Sequence, residues 1–149
     1  MRLAIAAIAL VAAFGATPSV ALDDPGQLIR ALYALPSIPT KGGEIDRYFS
    51  RDLASAIKRD IAPRDEVGRT NGSDYRYDAQ EFQITDLAFA KTTNRIGGNV
   101  VVTFKNFGKP QAVTYNLCLA RRGWRIANVL PGTWDMRKEL DLPIAPVRC

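Results

Sequence analysis

The run from Gly98 to Leu130, GNVVVTFKNFGKPQAVTYNLCLARRGWRIANVL, constrains the fold more than any other part of the chain, because it specifies consecutive strands and their turns without interruption. Side chains of a strand alternate between faces, so Val100, Val102 and Phe104 share one side while Val101, Thr103 and Lys105 take the other. Val113, Tyr115, Leu117 and Leu119 repeat the pattern against Thr114, Asn116 and Cys118. The segment Asn106-Phe107-Gly108-Lys109-Pro110 is the predicted turn: Gly108 tolerates positive φ, and Pro110 cannot donate to a ladder, so pairing is expected to stop and restart around it. After Arg121-Arg122-Gly123 a further strand is predicted with Trp124, Ile126, Asn128 and Leu130 on one side and Arg125, Ala127 and Val129 on the other, ending at Pro131-Gly132. Sequential strands joined by short turns read as an antiparallel meander whose apolar face must be covered by other parts of the chain.

The cover is predicted from the N-terminal half. Asp23-Asp24-Pro25 has the form of a helix entrance, and Leu28, Ile29, Leu32, Tyr33 and Leu35 follow at helical spacing until Pro36. A second helical region opens near Glu44 with Ile45, Tyr48 and Phe49 on one face, and is expected to continue past Ser50 through Leu53, Ile57 and Ile61 to Pro63. Residues 62–73 read as a polar exposed loop or frayed helix. Tyr75 to Phe82 alternates aromatic and polar residues without a period, a strand follows from Gln83 through Ile84, Leu87 or Ala88, and Phe89, and Trp134 to Leu140 reads as a short amphipathic helix. The fold class is therefore α+β, with N-terminal helices on a curved antiparallel sheet of about four strands and a short C-terminal helix.

Residues 1–21 are expected to be a signal peptide: Arg2 precedes the uncharged run Leu3 to Phe14, and Ser19-Val20-Ala21 supplies small residues for cleavage after Ala21. That run is too short for a bilayer span, which needs about 20 helical residues. Residues 22–149 would then be a single exported domain, periplasmic or extracellular, without membrane insertion after cleavage. Its two cysteines, Cys118 and Cys149, are predicted to pair in an oxidising compartment and to pin the tail Pro143 to Val147 against the sheet. Loss of Arg2 takes the net charge from +5 to +4. The adjacent basic pairs Arg121-Arg122 and Arg137-Lys138 are not interleaved with aromatics, so they read as solvated faces and nucleic acid is not an expected partner.

The chain has no histidine, which removes the commonest general base and metal ligand. A Ser-x-x-Lys match at Ser55 and Lys58 lies on a predicted packing helix, and Gly42-Gly43 and Gly97-Gly98 do not form a phosphate loop. No catalytic, metal or cofactor set is expected. Candidates for a ligand-binding rim are Tyr77, Asp78, Gln80, Tyr115 and Arg125, with Tyr75 and Trp134 beside them. Of these aromatics, Tyr115 reads first as a core residue, as Trp124 does, and Trp134 as the seat of the last helix. Asp78 and Gln80 are the two expected to be buried polar groups organising the rim.

The order helix, helix, long loop and four antiparallel strands resembles the cone-shaped fold of nuclear transport factor two. More narrowly, Tyr48-Phe49-Ser50-Arg51-Asp52-Leu53, Ala79-Gln80-Glu81-Phe82-Gln83-Ile84, Val102-Thr103-Phe104-Lys105-Asn106-Phe107-Gly108 and Gly123-Trp124-Arg125-Ile126-Ala127-Asn128-Val129 resemble the domain-of-unknown-function 3828 family of secreted bacterial proteins, over roughly Gln27 to Leu140. The chain departs from that pattern at Tyr75-Arg76-Tyr77-Asp78. The resemblance implies fold and compartment, brings no activity, and leaves a homodimer through the exposed sheet face open. The expected function is a non-enzymatic binding or interaction module for a small molecule or envelope protein. The alternatives are an inhibitor or immunity protein against an envelope enzyme, and a histidine-free hydrolase or isomerase using a carboxylate such as Asp78.

Overall fold

The computed structural model describes residues 24–62, 68–95, 97–132, 134–144 and 149. The expected signal peptide and its cleavage site lie outside the described residues, as do residues 145–148 of the tail. Helices α1 (Pro25–Tyr33), α2 (Gly42–Tyr48) and α3 (Arg51–Asp60) precede strands β1 (Ile84–Thr93), β2 (Gly97–Asn106), β3 (Lys109–Ala120) and β4 (Gly123–Pro131), and α4 (Met136–Glu139) follows. The strands form one antiparallel sheet in the order β1-β2-β3-β4. The molecule is thus α+β. No helix among the described residues is long and apolar enough to cross a membrane.

Alternation in β2 and β3 sets the core. Val100 faces Tyr115 and Val102 faces Val113, all fully buried, so their side chains stack on one side of the sheet. From α1, Leu28, Ile29 and Leu32 close over the cluster, each stabilising the fold by about 1.5–3 kcal/mol through the apolar surface it removes from water. Asp24 starts α1 by accepting from the backbone N–H groups of Gly26 and Gln27, with Pro25 in the first turn. Leu119, expected on the covered face, is instead exposed beside the Arg121-Arg122 turn.

The structure corrects four further expectations. Pairing does not stop at Pro110: the β2–β3 turn is only Phe107-Gly108, both at positive φ (47° and 76°), and Asn106 already faces Lys109. Pro110 sits opposite Lys105 with its nitrogen turned away from β2, towards a side where β4 has ended, since Pro131 faces Val113.

In β4 the pairing jumps from Asn116–Asn128 to Leu117–Ile126, which leaves Ala127 as the extra residue of a bulge. The bulge reverses the alternation. Ile126 and Val129 both enter the core, and Asn128 leaves the apolar set to accept from the backbone N–H groups of Val129 (2.9 Å) and Arg137 (3.2 Å). A second bulge in β1 sets Asp86 and Leu87 against Phe104, with Asp86 at φ 56° and ion-paired to Lys105 (2.7 Å). That bulge is why Leu87 and Ala88 compete for one place in the sequence pattern.

The helical region predicted from Glu44 to Pro63 is two helices. Between them Phe49 makes a parallel bridge to Ile126, and Ser50 donates its N–H to the Ile126 carbonyl (2.8 Å) rather than into a continuing helix. The outer edge of β4 is covered at that point, and α3 restarts with Ala54 donating to the Ser50 carbonyl (2.7 Å). In the segment predicted to be an exposed loop, Thr70 is buried: its N–H and hydroxyl both donate to buried Asp60 (2.8 and 2.7 Å). The part of that segment at 63–67 is outside the described residues.

Candidate functional site

The aperiodic segment before β1 closes on itself. Asp74 donates its N–H to the Ala79 carbonyl (2.9 Å) and Tyr77 donates to the Asp74 carbonyl (3.0 Å), so Asp78 takes φ 52° at the bend. The loop is organised around Arg76, a residue the sequence pattern did not single out. Its guanidinium, 2% exposed, grips Asp74 through Nε (2.9 Å) and Nη2 (2.5 Å) and donates Nη1 to the Leu32 and Leu35 carbonyls at the end of α1 (3.1 and 2.7 Å). The buried cation thereby supplies a donor to the carbonyls at the end of α1, in addition to the Leu35 N–H that Leu32 already accepts (3.3 Å).

Around this joint stand the expected aromatic candidates. Tyr115 donates its hydroxyl to Tyr33 (3.1 Å), and Tyr33 donates to the Arg76 carbonyl (2.6 Å). Tyr77 packs against Tyr33, Phe82 and Phe104 with ring centroids 5.5, 4.5 and 5.6 Å apart. Tyr75 is buried against Phe49, and its hydroxyl has no hydrogen-bond partner among the described residues. Burial pushes the phenols of Tyr33, Tyr75 and Tyr115 up, so all three stay neutral, and Tyr33 and Tyr115 keep the protons they donate. Asp78 accepts from the Trp134 indole (2.7 Å), and Gly132, at φ 52°, gives its carboxylate room, since a Cβ there would collide with Oδ2. Asp78 and Trp134 thus fasten the loop to the segment before α4. Gln80, expected to be buried, is exposed; it donates to the Gly72 carbonyl (3.2 Å) and borders a cleft of about 530 Å³ with Pro36, Asp74 and Phe82.

A second joint is built on Arg137, which was expected on a solvated face and is 0% exposed. Nη1 donates to the Ala127 carbonyl freed by the bulge (3.1 Å), Nε to the Pro143 carbonyl (2.7 Å) and Nη2 to Asp52 of α3 (2.7 Å). Burial alone would raise the Asp52 pKa, but the bonds from Arg137, Ser50 and Leu53 outweigh it and hold the carboxyl below its usual range. The Ser-x-x-Lys match is no dyad: Ser55 donates to the Arg51 carbonyl (2.7 Å) and Lys58 pairs with Asp46 (2.7 Å).

Arg125 lies apart from the other candidates, in a cleft of about 610 Å³ whose lining comes from separate elements. Asp46 comes from α2, Phe49 from the break, Arg51 from the first turn of α3, Ala120, Arg121 and Arg122 from the β3–β4 turn, and Cys149 from the chain end. Cys149 is bonded to Cys118 (Cα–Cα 5.8 Å), as predicted, so the disulfide holds the chain end at the rim. Arg125 is half-buried, with Nη1 donating to the Trp124 and Arg122 carbonyls (2.7 and 3.3 Å); burial first, and the Arg122 charge second, lower its pKa. The only carboxylate side chain in the lining, Asp46, is already paired with Lys58. Arg51, Arg121, Arg122 and Arg125 form no ion pair among the described residues. No local sequence signal marks this cluster, because the Ser50 break that restarts α3 at Arg51 is set by the distant Ile126 carbonyl.

Among the described residues no group of three or more His, Cys, Asp or Glu side chains is placed to hold a metal ion. Comparison of the chain with protein-family models, with curated proteins and with solved structures returned no match.

Proposed function

We propose that the chain is an exported, non-enzymatic binding module, its export in keeping with the resemblance to the domain-of-unknown-function 3828 family of secreted proteins, and that the cleft at the β3–β4 turn receives its ligand. The observation that carries this reading is the contrast between two uses of arginine. Arg76 and Arg137 are consumed by carboxylates and carbonyls inside the fold, whereas Arg125 is fixed by main-chain oxygens and left without a counter-charge in an open cleft. A guanidinium held in place before the ligand arrives lowers the ordering cost of binding. Export is supported by the disulfide, which belongs to oxidising compartments. Asp78, the carboxylate considered for acid–base work, serves here to anchor Trp134.

The test is a thermal-shift screen of neutral sugars, peptides, anions and cations from the envelope, run on the wild type and on Ala120→Trp, which fills the cleft. Binding raises the melting temperature by mass action. The reading predicts at least one ligand that stabilises the wild type and not the filled variant. Ligands that stabilise both equally, or none at all, refute it.

A further inference from the structure

Resting on that reading, we infer that the ligand is a multiply charged oxyanion, one presenting phosphate or carboxylate groups to Arg51, Arg121, Arg122 and Arg125. Planar guanidinium forks match the paired oxygens of both groups, and a bidentate contact is among the stronger hydrogen bonds available to a protein. The four side chains project from three parts of the chain: the start of α3, the β3–β4 turn and β4 itself. Convergence from separate elements distinguishes the cluster from a run of like charge along one solvated strand.

The electrostatic balance of the cleft is one-sided. Lys58 neutralises Asp46, so no carboxylate side chain of the lining compensates the four arginines, and like charges bordering one cleft raise the free energy of the unliganded state. An anion relieves that repulsion. One charge would leave the cluster unbalanced, whereas a ligand with two or more can engage Arg125 at the wall and the exposed Arg51, Arg121 and Arg122 at the rim. The cleft has the volume of a small-molecule site, which runs from about 300 to 1,000 Å³. No aromatic side chain of the lining is exposed, since Phe49 is buried, so polar contact rather than stacking would carry recognition.

The test measures binding of tripolyphosphate and of citrate by titration calorimetry, with sodium chloride at matched ionic strength as the control. The proteins are the wild type, Ala120→Trp, and a triple variant Arg51→Gln, Arg121→Gln, Arg122→Gln, whose substituted side chains are exposed and outside the core. At least one polyanion is expected to bind the wild type with one-to-one stoichiometry, to weaken about tenfold or more in the triple variant, and to weaken as salt shortens the Debye length. Tripolyphosphate well ahead of citrate assigns the ligand's charges to phosphate, and citrate equal or ahead assigns them to carboxylate. The inference is overturned if neither polyanion binds beyond the chloride control, or if the triple variant binds as the wild type does. A neutral or cationic ligand blocked by Ala120→Trp, with both polyanions inert, overturns the inference while the binding reading stands. No ligand of any charge sensitive to Ala120→Trp removes both.

Discussion

Replacing Arg137 by methionine keeps the aliphatic stem and removes every bond its guanidinium makes. The bonds lost are those to the Ala127 carbonyl, the Pro143 carbonyl and Asp52. The Ala127 oxygen projects from the bulge into a fully buried environment around Arg137, and an orphaned buried acceptor costs about 1–3 kcal/mol. The Asp52 side chain is 33% exposed, so water recovers part of the lost pairing and the full price of an abandoned buried charge does not apply. Together these give a destabilisation of about 2–4 kcal/mol, less than when one partner of a fully buried pair is removed. With a urea m-value of about 1–3 kcal/mol/M, the unfolding midpoint should fall by about 2 M. Lys138→Met, one position on and exposed, is the control and should stay within about 0.5 kcal/mol of wild type. Urea unfolding followed by tryptophan fluorescence reads both, and a double-mutant cycle with Asp52→Asn isolates the pair. If Arg137→Met shifts the midpoint no more than Lys138→Met does, the claim that Arg137 joins α4 to the β4 bulge and α3 is wrong.

Reduction of Cys118–Cys149, which are separated by 31 positions, should cost about 3–4 kcal/mol in the chain-entropy model; unchanged urea midpoints with and without reductant would contradict it. At the acid end, Asp52 and Asp60 are both held below their usual range. For Asp60, burial opposes the shift and the bonds from Thr70 and Arg69 outweigh it. Their contribution is therefore present above about pH 4 and lost as pH falls through the depressed folded values. Stability should decline on acidification there, and Arg137→Met should flatten that decline, as measured by urea midpoints across pH. At the alkaline end, the phenols of Tyr33, Tyr75 and Tyr115 are raised by burial, so stability is full below about pH 10 and falls as pH climbs towards the folded values. A midpoint independent of pH from 9 to 11.5 (on the order of two units around the free phenol value) would count against their burial.

The sheet was legible because β2 alternates from Val100 to Lys105 and β3 from Val113 to Leu117, and α1 because Asp24, Pro25 and an apolar stripe agree on one answer. What escaped the sequence was set by contacts between distant parts of the chain. Nothing local marks Ala127 as a bulge: its neighbours alternate well enough in either phase, and the phase is chosen by which of Val129 and Leu130 meets Tyr115. The Ser50 break is decided by the Ile126 carbonyl, 76 positions along the chain. Arg76 and Arg137 look like surface residues by composition, yet each is drawn inside by main-chain carbonyls at a helix end or a bulge and by a carboxylate. Arg125 was legible as a candidate, while its companions Arg51, Arg121 and Arg122 were not, because the cleft exists only once α3 has restarted beside the hairpin turn.

The arginine cleft is the centre of this account, and the most direct measurement of it is the ¹H–¹⁵N spectrum of the arginine side chains during titration with tripolyphosphate. The account predicts that the Nε–H resonance of Arg125 moves and saturates together with those of Arg51, Arg121 and Arg122, while those of Arg76 and Arg137, bonded inside the fold, stay in place. Shifts spread evenly over all surface arginines without saturation, or an Arg125 resonance that does not move, would contradict it.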